Sequence, residues 1–447
     1  MLYTQKVLAE LEARAARFAG YQRTFDHDLG VYREALASLG ARYRSAAAVV
    51  ATQAGLMEGE SAGAVPTGEY DAWRAGGGAG VPVRPFGQAF AHHEAARAWA
   101  EGVRGITTFA VDGSQLMPWR DASIPVALVQ AGLFENPHRP PDPYIKDVEV
   151  AVLTPDDLLR GPGGGADRGG GSDGEDGDDG GTALDAGRRG EETVPAQAIV
   201  HLHRFQLEAR VLIARMEHHA ARPEPERLVV GFLDGSLIVS FALKMAAAYR
   251  EAYVDTARAL LDASARCRVP LVAYIDTSYA RDVVSMLRHL PMGDATIARA
   301  GAAAAGADLP AARGVHDALL WHHALAWGDR SPAFLSARGD VLGAYGAHGE
   351  AIAFVAFQAA LDRPPARLEF PRWVLEAGLL DRVMDAVRAE VIAGNGYPYP
   401  LEAADAVAVI SMADRAQFYA QFQKFAERQG LGLSFSRKAL SKSRRRV

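Results

Sequence analysis

The sequence is poor in cysteine and has no long apolar run. Its one cysteine, Cys267, excludes an internal disulfide and any zinc site built from several cysteines. No segment approaches the roughly 18 consecutive apolar residues that a membrane-spanning helix needs. The first residues, MLYTQKVLAELEARAARF, lack an apolar segment followed by a small-residue cleavage site. We therefore expect a protein that is not exported, does not enter a membrane and works in the reducing cytoplasm.

A phosphate-binding loop of the Walker type is also missing. The glycine run AGGGAG is not followed by Gly-Lys-Ser/Thr, and the second glycine-rich stretch opens no helix. Any ATP used in the reaction would therefore be used by a partner.

The acidic residues are unevenly distributed. The formal net charge is −6, and the Gly/Asp-rich stretch 161–192 carries nine acidic and three basic residues. The rest of the chain therefore holds 45 acidic and 45 basic residues, so the overall acidity does not argue against a polyanionic partner. We expect this stretch to be a disordered insertion, because it has almost no apolar side chains to offset the entropy of ordering.

Composition along the chain predicts four regions. Residues 3–50 have helical spacing of apolar residues, typical of a packing or coiled-coil helix pair, and residues 51–85 look like irregular connection. We assign 1–100 to an N-terminal helical region with this connection and 105–430 to the main domain. Residues 431–447 form a basic tail, which on a DNA-binding protein would add phosphate contacts without sequence selectivity.

The main domain alternates between strand and helix patterns. Three predicted strands, ITTFAVDG, IPVALVQAGLFEN and DVEVAVLT, precede a helix from Ala196 to His219. The strands RLVVGFLDGSL and VPLVAYIDTSYA follow, each leading into a helix. This alternation predicts an α/β fold.

Two predicted strands run into the same tripeptide, Asp-Gly-Ser. Asp112 and Asp234 are expected at strand ends, and Glu217 lies on the helix before the second strand. Three carboxylates in this order resemble the arrangement by which ribonuclease H-like folds bind two divalent metal ions. Oxygen ligands suit Mg²⁺ or Mn²⁺. A single Asp-Gly-Ser is equally typical of a turn or a helix cap.

Several segments, in order, resemble the NurA nuclease family between about Thr108 and Phe418. They are AVDGS, ARMEHH ahead of GFLDGSL, YIDTSYARDVVSMLR, GDRSPAF, ARLEFPRWV and GYPYPLEAADAVAVI. ARLEFPRW followed by GYPYPL is the most specific pair.

The resemblance implies a homodimeric, Mn²⁺-dependent (or Mg²⁺-dependent) deoxyribonuclease with two metal ions. Such an enzyme cuts single-stranded DNA, resects ends 5′ to 3′ and works with a HerA-type hexameric ATPase in double-strand break repair. The expected fold is α/β, with a ribonuclease H-like mixed sheet core, flanking helices and an N-terminal helical region.

Within the family pattern, the metal-binding carboxylates fall on Asp112, Glu217 and Asp234. Glu208 is the alternative to Glu217, and the interval of 17 residues between Glu217 and Asp234 favours Glu217. Tyr397 matches the tyrosine of GYPYPL and is expected to position the scissile phosphate or to stack on a base. Asp405 stands where the family usually carries a histidine, so it would ligate a metal but could not donate a proton at neutral pH.

Three further residues have two interpretations each. Arg330 and Arg367 lie in segments that the family places near DNA, and arginine suits phosphate binding, but a salt bridge such as Arg367 with Glu369 is an equal alternative. Asp276 either adds a carboxylate to the site or caps the following helix.

Two other functions remain open. One is a non-catalytic adaptor that loads DNA for a HerA-like ATPase, for which the replacement at Asp405 is the only support. The other is a metal phosphohydrolase that acts on small nucleotides.

Overall fold

A computed structural model describes most of the chain: residues 2–39, 63–103, 105–119, 122–139, 141–159, 196–222, 227–289, 309 and 312–434. The insertion expected at 161–192, the end of the helical region expected at 3–50 and most of the basic tail lie outside these residues. Within the described part, no helix is both long and apolar enough to cross a bilayer.

The described chain is built on one mixed sheet of nine strands. The spatial order is β1-β7-β8-β9-β6-β5-β2-β3-β4. The strands are β1 Gly63–Pro66, β2 Ile106–Leu116, β3 Ala127–Asn136, β4 Ile145–Leu153, β5 Leu228–Asp234, β6 Leu271–Ile275, β7 Phe334–Ala337, β8 Ile352–Phe357 and β9 Ala366–Pro371.

Helices join and cover these strands. The α-helices are α1 Thr4–Ala13, α2 Ala15–Ala37, α3 Gly68–Ala75, α4 His93–Gly102, α5 Pro155–Leu159, α6 Ala196–Ala220, α7 Ala247–Cys267, α8 Asp282–His289, α9 Asp317–Trp321, α10 Gly339–Leu342, α11 Trp373–Glu376, α12 Leu380–Ala393, α13 Tyr399–Ala408 and α14 Met412–Arg428. Two 3₁₀ helices span Ser240–Lys244 and Gly343–His348.

The middle of the sheet has the strand pattern that the sequence predicts. β2, β3 and β4 form an antiparallel meander, and β5 returns through α6 to lie parallel to β2. β6 follows through α7 and is parallel to β5. The carboxyl ends of β2, β5 and β6 therefore point toward the same edge of the sheet.

Helices cover both faces of the sheet in its middle, whereas the edge strand β4 is largely exposed. Alternate side chains of β2, such as Phe109 and Val111, pack with α6 and α7 on one face. The residues between them, such as Ala110, pack with α12 and α13 on the other. Burial on two faces explains why β8, IAFVAF, is a continuous apolar run without alternation. β9 is equally buried, but it carries Arg367 and Glu369, which form an ion pair.

The N-terminal region differs from the irregular connection expected at 51–85. Gly63–Pro66 pairs with β7 as an edge strand, and α3 follows it. The end of α2 packs into a third apolar cluster through Tyr32 and Leu36, whereas α1 buries no side chain. Glu69 on α3 accepts two 2.6 Å hydrogen bonds from the guanidinium of Arg330, which ties this region to the loop before β7.

Candidate functional site

Asp112 and Asp234 lie on neighbouring parallel strands. Val111 is in register with Leu233, and the two aspartates are the next residues, so they lie side by side on β2 and β5. Asp234 ends β5, as the sequence predicts. Asp112 does not end its strand, because β2 continues to Leu116 in its hairpin with β3. Alternation places both side chains on the face covered by α12 and α13.

Helix α13 brings a third carboxylate, Asp405, to this face. Gly132 is the β3 partner of Asp112, and a Cβ on Gly132 would lie 2.6 Å from the backbone nitrogen of Ala408. The glycine therefore lets α13 pack directly on the strand beside Asp112. Asp405 lies close enough to Asp112 and Asp234 for its charge to raise the pKa of both.

Tyr397, just before α13, faces the same cluster. Its hydroxyl lies close enough to the Asp234 carboxylate to lower the pKa of that group. Its ring packs edge-on against Tyr274, with 5.2 Å between the ring centroids. Desolvation and the nearby charge of Asp234 raise the pKa of Tyr397, so the phenol stays protonated and can donate a hydrogen bond.

Glu208 reaches the cluster from the opposite face of the sheet. A Cβ on Gly113 would lie 2.0 Å from its Oε1 atom, so the glutamate occupies the space that this glycine leaves empty. Arg204, one turn earlier on α6, donates to the Gly113 carbonyl at 3.1 Å and lies 3.3 Å from Glu208 Oε1. The charges of Asp112 and Asp234 both act on Glu208. Arg204 belongs to none of the sequence motifs that predict the site.

Glu217 is not brought to the cluster. It is exposed near the end of α6, where Arg266 on α7 donates to it at 2.7 Å. Nine residues separate it from Glu208, which is about 14 Å and two and a half turns along the helix. The two glutamates therefore point in opposite directions, and the expectation that favoured Glu217 over Glu208 disagrees with this placement.

The cluster concentrates negative charge where water is partly excluded. Burial, opposed by the Gly113 amide and reinforced by Asp234 and Asp405, raises the pKa of Asp112 to about 6. Burial is also the main cause that raises the pKa of Glu208 to about 7, against the effect of Arg204. Desolvation raises the pKa of Asp234 as well, although one side of that residue is open to solvent.

These carboxylates have the chemistry that a hard divalent cation requires. The buried Oε1 of Glu208 has an ion-pair neighbour but no hydrogen-bond donor, so one acceptor at the cluster is unsatisfied. A cation would offset both the burial of charge, which is the main cause of the two raised pKa values, and the mutual repulsion that adds to it. Among the described residues, no group of three or more Asp, Glu, His or Cys side chains is arranged as a metal site, so sharing one ion requires side-chain rotation.

The other predicted residues lie elsewhere or only at the margin. Arg330 is buried in ion pairs with Glu69 and Asp381, and Arg367 is buried in contact with Glu369 and Asp282. For both arginines the structure shows the salt-bridge alternative. Asp276 lies six residues before α8 begins, so it does not cap that helix, and its charge acts weakly on Asp234.

The comparison with protein families agrees with the motifs found in the sequence. The family model of the NurA domain matches residues 106–410. A solved structure, described as the crystal structure of NurA with manganese, aligns with a TM-score of 0.35 and 9% sequence identity, covering 72% of this chain and 89% of that chain. No curated protein matches the chain.

Proposed function

Because this chain belongs to the NurA family, we propose that it is a metal-dependent nuclease that cleaves DNA. The observation that carries the proposal is the group of four carboxylates at Asp112, Glu208, Asp234 and Asp405, with Tyr397 beside them. Four carboxylates held this close together, with Glu208 buried and Asp112 half-buried, are costly unless a cation or a proton offsets their charge. It is therefore a candidate functional site with a physical reason.

The strand order supports a ribonuclease H-like core. The spatial order β4-β3-β2-β5-β6 combines the antiparallel meander of β2, β3 and β4 with two strands, β5 and β6, that run parallel to β2. Four more strands, β9, β8, β7 and β1, extend this core on the side of β6.

We propose that Asp112, Asp234, Asp405 and Glu208 hold Mn²⁺ or Mg²⁺, with Glu208 in the place that the sequence analysis gave to Glu217. Two such ions would supply stabilisation of both the attacking and the leaving oxygen of a phosphodiester. Arg204 keeps Glu208 close to β2 by binding both that carboxylate and the Gly113 carbonyl. Its guanidinium also offsets part of the negative charge of the cluster.

Tyr397 contributes a neutral hydrogen-bond donor at the rim of the cluster. Since its pKa is raised, the phenol can donate to Asp234 or to an oxygen of a bound phosphate throughout the physiological pH range. Its ring is already held against Tyr274, so little side-chain entropy is lost on binding.

The finer properties of the proposal rest on the family resemblance. They are single-stranded endonuclease and 5′ to 3′ exonuclease activity, a homodimer in the cytoplasm, and work with a HerA-type ATPase in DNA end resection. Arg330 and Arg367 are not part of the proposed DNA contacts, because buried ion pairs already occupy both guanidinium groups.

The test is cleavage of end-labelled single-stranded DNA in Mn²⁺, Mg²⁺ or EDTA. We expect metal-dependent cutting by the wild type, its loss in Asp112→Asn, and reduced or altered metal dependence in Asp405→Ala. Asp255→Asn is the matched control, since Asp255 is an exposed aspartate on α7 that pairs only locally with Arg258.

Two results would contradict the proposal. Cutting that survives both EDTA and Asp112→Asn would place the activity elsewhere. No cutting in any metal, with or without a HerA-type ATPase, would favour the adaptor.

A further inference from the structure

The loop that follows Asp234 is held by one buried side chain, Glu369 on β9. Ser236 Oγ donates to Glu369 Oε2 at 2.7 Å, and the backbone nitrogen of Leu237 donates to the same oxygen at 2.9 Å. Ser236 Oγ also accepts from the Ile238 nitrogen at 2.9 Å. A single carboxylate oxygen therefore fixes the second and third residues after Asp234.

Glu369 is itself held in place. It is 2% exposed, and its other oxygen, Oε1, accepts from Arg367 Nε at 2.8 Å. The guanidinium of Arg367 lies 3.7 Å from the ring centroid of Phe354 and 2.5 Å from Asp282 Oδ2. Because both oxygens of Glu369 have partners and an arginine offsets its charge, this carboxylate can hold the loop without competing for a cation.

The residue between Asp234 and Ser236 explains why the loop needs such an anchor. Gly235 has φ of +109°, a conformation open mainly to glycine, and its nitrogen donates to the Tyr274 carbonyl at 3.1 Å. A glycine at this point leaves the chain free to turn in several ways. The hydrogen bonds from Ser236 and Leu237 to Glu369 select one of them.

On this basis, and resting on the proposed nuclease function, we propose that Glu369 and Ser236 are positioning residues that orient the carboxylate of Asp234 toward the metal ions. In the second Asp-Gly-Ser, Asp234 then provides the carboxylate, Gly235 allows the turn, and Ser236 binds the loop to Glu369. In the first copy, Ser114 lies within β2 opposite Gln130, so its backbone is held by the sheet and needs no such anchor.

The experiment compares Ser236→Ala with Ser114→Ala, the same substitution in the other Asp-Gly-Ser. Mn²⁺ binding to the full chain is measured by titration calorimetry, and the Mn²⁺ concentration for half-maximal cleavage is measured separately. We expect Ser236→Ala to weaken Mn²⁺ binding about 10-fold, as loss of a supporting hydrogen bond does in metal sites, with an unchanged KM for DNA. Ser114→Ala should match the wild type, and Ser236→Thr, which keeps the hydroxyl, should restore binding.

Glu369→Gln is a second variant, with thermal unfolding as its folding check, because the substitution disturbs a buried charge network. If it folds, its Mn²⁺ affinity should fall with that of Ser236→Ala. Unchanged Mn²⁺ affinity in Ser236→Ala would overturn the positioning role while leaving the nuclease intact. A wild type that binds Mn²⁺ but cuts no DNA would remove the nuclease and keep the positioning role, and a wild type that binds no Mn²⁺ would overturn both.

Discussion

Of the two candidate glutamates on α6, one lies at the candidate site and the other on the protein surface. Glu208 is buried against Gly113, whereas Glu217 is exposed and paired with Arg266. We expect Glu208→Gln to lower the cleavage rate by about a hundredfold or more, because losing a metal ligand removes several kcal/mol of transition-state stabilisation. Glu217→Gln should stay within about twofold, since exposed ion pairs contribute little.

Steady-state cleavage of single-stranded DNA in Mn²⁺ measures both variants side by side. The opposite ranking, with Glu217→Gln inactive and Glu208→Gln active, would contradict this placement of the two residues.

The choice between these glutamates shows what residue spacing cannot predict. Choosing Glu217 from its 17-residue interval to Asp234 assumes that residues this close in sequence are also close in space. A crossover helix ends near the start of the next strand, while Asp234 lies at the far end of the seven-residue β5. A residue near the helix end is thus roughly 20 Å from the site, at about 3.3 Å per strand residue. The carboxylate in reach lies earlier on the helix.

The first Asp-Gly-Ser depends on the size of its glycine. We expect Gly113→Ala to displace Glu208 and Arg204, because the new methyl group would lie 2.0 Å from Glu208 Oε1. The variant should lose most of its cleavage activity and about 1–3 kcal/mol of folding stability, as is usual for overpacking. Gly30→Ala in α2 is the control, since a Cβ there meets nothing within 4 Å. Equal activity and melting temperature in both variants would show that the strand tolerates the methyl group.

At the scale of elements, α6 is fixed to β3 by a buried ionic contact. Arg215 and His219 on the helix both bind the carboxylate of Glu135, which is 3% exposed. Burial alone would raise the pKa of Glu135, but the hydrogen bonds from His219 and Arg215 outweigh it and lower the pKa to about 2. The contact holds the helix that carries Glu208, about two to three turns beyond that residue.

The lowered pKa predicts how stability depends on pH. The ionised form of Glu135 stabilises the folded protein fully above its ordinary pKa of 4.5, and this contribution is lost as the pH falls toward about 2. We expect Glu135→Gln to cost up to about 3 kcal/mol of unfolding free energy at pH 7, with the difference shrinking below pH 4.5. Urea unfolding of both proteins from pH 7 to pH 3 measures it, with Glu217→Gln as the exposed control. A cost that does not change with pH would show that the lost interaction is not ionic.

Strands β2 to β6 of the central sheet can be predicted from the sequence, but the strands that extend the sheet beyond β6 cannot. β2 to β6 have β-branched and apolar patterns and clear turns, so their order follows from the sequence. β1 has four residues, and its strand partner, β7, lies some 270 positions later in the chain. β9 belongs to ARLEFP, which the sequence identifies only as a family motif. Pairing between distant segments is set by the whole sheet, so local patterns do not reveal it.

At the scale of the whole molecule, the stretch 161–192 carries a net charge of −6 and lies outside the described residues. If it shields the site from DNA, deleting it should tighten binding of single-stranded DNA at low salt, and the gain should vanish as salt screens the charges. Fluorescence anisotropy across a salt series measures this. A variant of equal length with the acidic residues changed to Asn and Gln separates charge from length, and unchanged binding in both would dismiss the shielding.

The contact between Glu69 and Arg330 predicts the effect of shortening the chain. A fragment beginning at residue 105 would lack β1, α3 and Glu69, leaving a buried guanidinium without its main partner and β7 without its edge neighbour. We expect a loss of about 3–5 kcal/mol or more, with aggregation on expression. A chain without residues 1–13 should melt like the full protein, because α1 buries no side chain. A fragment from 105 that melts at the full-chain temperature would contradict this.

The contact between Glu69 and Arg330 shows that the region matched by the family model and the region needed for folding begin at different residues. The region matched by the family model begins at residue 106, while the buried contacts of the fold extend back to Tyr32 and Leu36 on α2. Common ancestry determines which residues can be aligned with relatives. Buried contacts, such as the ion pair between Glu69 and Arg330, determine which residues cannot be removed without loss of stability. A gene fragment designed from the alignment alone would therefore encode the chemistry without the means to keep it folded.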